Sequence, residues 1–303
     1  MADKEPKIRS EYDPNDKQRE MIAHVYERKQ EMESADDRMQ AMANYDKWMK
    51  QWEAYRTLRK NTEWQSNHYV PITTAIVEAA LAEMVDQTPR PLILPRSPED
   101  APKAIVMRHL FDYTWEVADG DTQLYNVMKD ILITGTAVAQ EYFLQDIRKI
   151  REIEVDKRGN EKTSEKEILE FDDCMLEIVK LQDFFVDETA RSFDGPYAAR
   201  DCIRRYVMHI DDFKAFFSGE TWNPFDAAKY VHPGGDVDYF EFFKPPEGLK
   251  DDQVEVLWYW EKKPDDALII VANDVLVKEG PNFYAHKQLP FARAVDIKRV
   301  HSF

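Results

Sequence analysis

The chain has 303 residues, 43% hydrophobic and 33% charged, with a net charge of −17. That length suggests about two domains, and the composition is that of a folded, polar-surfaced protein rather than a disordered one. The acidic balance argues against a protein that grips nucleic acid, because Lys and Arg on phosphate supply most of that affinity; an acidic wall would instead let DNA slide past. No apolar run is long enough to span a bilayer, so the reading includes no membrane partner. The first residues, Met-Ala-Asp-Lys-Glu-Pro, lack a signal-like apolar stretch. Cys174 and Cys202 fit a reducing compartment, and their wide spacing does not suit a zinc site.

Residues 1–14 read as a lead-in. From Asn15 to Asn61 there is neither Pro nor Gly, and helix formers dominate. Met21, Ile22 and Val25 form a thin apolar stripe. Tyr45, Trp48, Trp52 and Tyr55 step by three and four into an aromatic seam, suited either to this chain's own core or to a neighbouring copy. Pro71 suits the first position of a helix over Ile72–Val85 that is apolar almost all round, and such a helix must be covered on every side. The proline-punctuated stretch Asp86–Pro95 predicts an extended segment along a sheet edge. Ser97-Pro-Glu-Asp100 opens a helix running to about Ala118.

The central unit is Asp121–Leu144. Leu124, Val127, Met128, Ile131 and Leu132 recur at helical spacing. Asp121 and Thr122 are N-cap candidates, and Gly135 suits a left-handed C-cap. Thr136–Leu144 then reads as a strand laid back on the helix. Strands are predicted at Ile147–Val155, Ile168–Phe171 and Met175–Leu181, with a turn at Lys157–Asn160 and a solvated hairpin tip at Glu161–Glu167. Beyond a turn at Asp194–Pro196 come a strand over Ala199–Met208 and a helix over Ile210–Phe217. Residues 218–250 are loop-like. Val254–Trp260 is a strand, Leu268–Val277 a hairpin turning at Asn273-Asp274, and a last strand follows Leu289-Pro-Phe291. The fold class is α+β: a helical N-terminal region, a mixed α/β domain with an antiparallel meander, then a β segment.

The search for chemistry returns little. None of the nine glycines forms a phosphate loop or dinucleotide fingerprint, so no ATP-driven motor is encoded. The seven histidines are scattered, and no nucleophile elbow occurs. Asp252, Glu261 and Lys263 have the rough order of a metal-dependent nuclease site, and solvated strand ends explain them equally. Asp183, Asp187 and Glu188 around Phe184-Phe185 read as turn-capping acids beside buried rings. The reading therefore includes no catalytic residue, metal or cofactor.

In order, Trp64–Val70 with Pro71 and its helix, Gln87-Thr-Pro-Arg-Pro91, Gly135-Thr-Ala-Val138, Leu181–Ala190, Cys202–Met208 with Asp211-Asp212-Phe213, and Leu289-Pro-Phe291 resemble the portal, or head-to-tail connector, proteins of tailed bacteriophages, in the short-tailed branch. The resemblance covers most of residues 60–303. It implies a non-enzymatic subunit of a dodecameric ring at one capsid vertex of the virion, assembled in the host cytoplasm. Double-stranded DNA would pass through the ring without sequence-specific binding. Partners would be copies of itself, the terminase, capsid and scaffold proteins, and tail or adaptor proteins. It implies an N-terminal helical region (1–62), a wing-like domain (63–206), and the start of a stem and clip (207–303), the chain stopping inside the clip. Subunit-interface candidates are Tyr45, Trp48, Trp52, Tyr55, Ile72 and Ile76. The alternatives are the metal-dependent nuclease and a head-completion adaptor.

Overall fold

A computed structural model describes residues 8–9, 12–54, 70–86, 90–155, 161–190, 192–193, 198–217, 227–234, 237–238, 249–262, 266–284 and 287–295. The predicted turns at Lys157–Asn160 and Asp194–Pro196, most of the 218–250 loop, and residues 55–69 and 87–89 lie outside them. The chain divides into two compact units that interleave in sequence: residues 1–47, 180–289 and 297–303 form one, and residues 48–179 and 290–296 the other.

The first unit is built on a five-stranded antiparallel sheet. Its strands are β4 (Phe184–Val186), β5 (Asp201–His209), β7 (Gln253–Glu261), β8 (Ala267–Ala272) and β9 (Val275–Pro281), in the order β4-β5-β7-β8-β9. The short strands β1 (Ile8–Arg9) and β6 (Val237–Asp238) pair in parallel apart from it. Strand alternation sorts the core onto two faces. Phe185, Ile203, Tyr259 and Ile269 are successive cross-strand partners, and Leu257, Val271 and Leu276 form the next row of the same face.

The helix α1 (Asp16–Ser34) lies on that face through Ile22, Val25 and Met32, all buried. It starts at Asn15 because a capping box forms there. The Gln18 backbone N–H donates to Asn15 Oδ1 at 2.9 Å, and the Asn15 backbone N–H donates to Gln18 Oε1 at 3.0 Å. The opposite face carries Trp258 and Trp260, and there α6 (Ile210–Phe217) brings Phe217 against Trp258. The hairpin turns at Asn273 as predicted, with φ of 50°.

The second unit is organised around α5 (Gly120–Thr134) and the strand it feeds, β2 (Thr136–Val155). Gly135 ends the helix at φ 80°, and its N–H bonds the Ile131 carbonyl; only glycine takes that conformation without strain. The start of the helix differs from expectation. It begins at Gly120, and Asp121 instead accepts the Trp115 indole N–H at 2.8 Å. Gly120 is needed for that contact, since a Cβ there would sit 2.3 Å from the Trp115 ring.

β2 is one strand of 20 residues, not two, and it pairs along its length with β3 (Glu161–Val179). Register shifts between Asp146 and Ile147. The predicted tip at Glu161–Glu167 is therefore strand. A third strand, β10 (Phe291–Val295), adds to the other edge of β2. Helices α3 (Ile72–Val85) and α4 (Ala101–Val117) each pack on α5 and hardly touch one another.

The predicted N-terminal helical stretch breaks at Ala35, whose ψ of 131° is extended, so α2 (Asp36–Trp52) is a separate helix. The proline-rich segment runs along α4 rather than a sheet edge. Arg90 meets Asp112 at 3.7 Å and Arg108 donates to the Ile93 carbonyl at 3.2 Å, which fixes an antiparallel course along the helix. Side chains supply these ties, so the missing proline N–H groups cost nothing.

Candidate interaction surface

The sequence offers two acidic groupings as candidate chemistry, and the geometry answers both. Asp252 and Glu261 stand at opposite ends of the nine-residue β7, about 30 Å apart at the rise of an extended strand. They cannot share a metal ion. Asp252 lies 3.4 Å from His209 Nε2, and Lys263 falls outside the described residues. Asp183 takes a fork from Arg205, at 2.9 and 2.7 Å. Asp187 accepts the Thr189 N–H at 3.1 Å in an Asx-type turn, and Phe184 and Phe185 are buried. The turn-capping reading holds for Asp187 and the buried-ring reading for the two phenylalanines, whereas Asp183 is an ion-pair partner. Among the described residues no grouping of three or more His, Cys, Asp or Glu could hold a metal.

A groove of about 820 Å³ in the first unit is lined by residues of α1 and the α1–α2 junction, the loop after β4, and the ends of β5 and β7. Its centre is Asp201, buried, which receives Arg28 through Nε at 2.7 Å and Nη2 at 2.9 Å and the Tyr259 hydroxyl at 3.1 Å. The hydrogen bond to Asp201 raises the Arg28 pKa above its ordinary value. Burial, then the Asp201 charge, pushes the Tyr259 phenol well above its ordinary value, so it stays a hydrogen-bond donor. Further along α1, Lys29 reaches the fully buried Glu255 at 2.5 Å. Arg38, on α2, donates to the Phe184 carbonyl and lies over the Phe185 ring at 4.1 Å. These charged groups are committed to holding α1 and the start of α2 against the sheet. The arrangement pins helices; it poises no nucleophile or base.

Both cysteines are free thiols. Burial drives the Cys202 pKa well above its ordinary value, which makes it inert.

The interface candidates fall in different settings. Tyr45, Trp48 and Trp52 are half-buried on α2, a helix with no fully buried residue; Tyr55 lies outside the described residues. Trp52 is engaged inside its own unit. Lys129 sits 4.2 Å over its ring and the Thr74 hydroxyl donates to its carbonyl, while its indole N–H is shut from solvent without an acceptor. Ile72 and Ile76 point outward, 61% and 63% exposed. Among the described residues α3 is not covered all round: only Val77 and Leu81 of the helix are buried.

Sequence reasoning missed a second apolar surface. The segment before α4 exposes Leu92 and Leu94, and α4, with no buried residue at all, exposes Ile105, Val106, Met107 and Leu110. The signal was present, because Ala101–Phe111 has apolar residues on every side, as the Ile72 helix does. Isolated exposed apolar residues are ordinary, but contiguous apolar patches of this kind mark interaction sites.

The first unit's ion pairs pin helices to its sheet, and the second unit exposes apolar side chains of the kind that mark interaction sites. Comparison with known families agrees. The model of the family described as Phage P22-like portal protein matches residues 19–301, and the chain belongs to that family. It is thus a phage portal protein of the short-tailed branch, in a family that is structural rather than enzymatic. A search of curated proteins found no match. No helix among the described residues is long and apolar enough to cross a membrane.

Proposed function

We propose that the chain is a wall subunit of a ring at the capsid vertex of a virion, assembled in the host cytoplasm. The ring surrounds a duct through which double-stranded DNA enters during packaging and leaves during ejection. The terminase would dock on it and supply the ATP hydrolysis; capsid, scaffold and tail or adaptor proteins would be its other neighbours. The observation that carries this reading is the family match across nearly the whole chain. The net charge of −17 supports it, because an acidic lining does not hold DNA in place. The uncovered faces of the second unit support it too, since a ring subunit must bury surface against its neighbours on both sides. Ile72 and Ile76, 61% and 63% exposed, suit such an interface; Trp48 and Tyr45, half-buried on α2, would border it. In the family's terms, residues 63–206 would be wing, and residues from 207 onward would lead through the stem toward the clip.

The test is assembly of the purified chain. Light scattering and negative-stain images across a concentration series should show closed rings with an open centre, of about twelve copies. A chain that stays monomeric at every concentration overturns the reading.

A further inference from the structure

The helix α1 covers one face of the five-stranded sheet but takes no part in its ladder. The strands β4, β5, β7, β8 and β9 are paired with one another, and their other face is packed separately by α6, with Phe217 against Trp258. The buried side chains of α1 are Ile22, Val25 and Met32. The rest of its hold is polar. Arg28 pairs with Asp201, Lys29 with Glu255 and Lys17 with Glu279, and the Tyr26 hydroxyl donates to the Asn273 carbonyl.

Ties of that kind hold less firmly than their number suggests. Bringing Lys29 and Glu255 together strips water from both, and that penalty offsets most of their attraction. When α1 lifts, both charges regain water, as do Arg28 and Asp201. The groove beside residues 24–34 already brings solvent to the Arg28–Asp201 pair. Unfolding the sheet exposes both of its faces and breaks its ladder, whereas lifting α1 uncovers one face and leaves the ladder whole.

The ends of the helix let it move as a unit. Its start is closed by the capping box between Asn15 and Gln18, which needs no contact with the sheet. Its end is the extended break at Ala35. Beyond that break α2 keeps a hold of its own, through Arg38 on the carbonyls of Leu181, Gln182 and Phe184. Ahead of α1, the Tyr12 hydroxyl accepts the Leu276 N–H at 3.3 Å. Tyr12 and Arg38 therefore tether the chain on either side of α1.

We propose that α1 is a strap, which lifts from the sheet in one piece between its two tethers while the five strands stay folded. What it uncovers is an apolar face around Phe185, Leu257, Tyr259 and Val271 that carries two carboxylates, Asp201 and Glu255. The device is internal to one copy and does not depend on the ring reading.

Hydrogen exchange of the full chain tests it, read by mass spectrometry on peptides covering α1 (residues 16–34) and β7 (residues 253–261) and corrected for intrinsic rates. The α1 peptide should exchange at least about tenfold faster than the β7 peptide. Its exchange should also depend less on denaturant, because a local opening exposes less surface than global unfolding. Two variants separate a strap from a single cooperative unit. Ile270 lies on the face away from α1, cross-strand from Trp258. Ile270→Val weakens the sheet whether the strap is open or closed, so β7 exchange should quicken about fivefold while α1 exchange stays unchanged. Lys29→Met deprives Glu255 of its nearest partner in the closed form alone, so α1 exchange should quicken about a hundredfold, and β7 exchange by no more than that factor. Val25→Ala stands in if Lys29→Met is too unstable to purify. Equal exchange of the two peptides in the wild type overturns the proposal. So does an Ile270→Val chain in which both peptides quicken alike, or a strap variant whose α1 exchange stays at the wild-type rate.

Discussion

The two units treat apolar surface in opposite ways. In the first, a helix and five strands close over Leu257, Tyr259, Val271 and Leu276, and Arg28 and Lys29 pair with Asp201 and Glu255 at the margin. In the second, α3 buries two residues and α4 none. The first unit meets its folding requirement within one copy. The second stops short, and what it leaves open is side chain that a purely self-contained domain would cover. The difference shows where stability and function are separated in the chain: substitutions in the first unit should act on folding, and those on the open faces of the second should act on association.

The largest expected effect tests the first half of that contrast. Glu255 is fully buried, with Lys29 Nζ on one carboxylate oxygen and no hydrogen bond on the other. Lys29→Met would leave the buried carboxylate with Arg205, 4.0 Å away, as its remaining charged neighbour, and should cost up to about 3–5 kcal/mol. Lys29→Met with Glu255→Leu removes both charges, and most of the loss should return. Chemical denaturation measures both. If the double variant is as unstable as the single one, the pair's role is not electrostatic.

A smaller but cleaner contrast sets one aliphatic truncation in each unit side by side. Leu257→Ala empties a fully buried site and should cost about 2–5 kcal/mol. Ile76→Ala removes a side chain that is 63% exposed, and the monomer should change by no more than about 0.5 kcal/mol. Equal losses in the two variants would mean that α3 is covered within its own copy, and the distinction between the units would fall.

How much of this the sequence discloses follows the same line. The buried strands announce themselves through continuous apolar runs, as Val254–Trp260 does. The helix and strand meeting at Gly135 are equally plain, because a left-handed cap leaves one residue type to choose. What stays hidden is long-range or broken in period. The bulge between Asp146 and Ile147 interrupts the alternation of β2, so a single strand reads as two. The pairing of β10 with β2 joins residues some 150 positions apart, and no local signal encodes it. The course of residues 90–95 depends on Arg90 and Arg108 finding partners that propensity does not name. For the candidate surface, the all-round apolar character of the Ile72 helix reveals that a cover is needed. It does not reveal that Ile72 and Ile76 stay exposed among the described residues, and the same signal in Ala101–Phe111 passes unnoticed because charged residues interrupt it.

The turns offer the finest version of the contrast. The first unit's hairpin is specified by what a side chain does. At φ 50°, Asn273 accepts the Glu255 N–H through Oδ1 at 3.0 Å and donates from Nδ2 to the His232 carbonyl at 2.7 Å. Tyr26 of α1 donates to its carbonyl at 2.5 Å. Asn273→Gly keeps the backbone conformation and strands two partners, at a cost of about 2 kcal/mol. In the second unit the turn is specified by the absence of a side chain. Gly135 sits at φ 80° with open space around the position a Cβ would take. Gly135→Ala therefore meets backbone strain and nothing else, about 1 kcal/mol, and the thermal midpoint should fall only slightly. A loss well beyond that would show that the residue is packed against something a single copy does not contain. The turn after α5 would then join the open faces of the second unit as part of the contact surface.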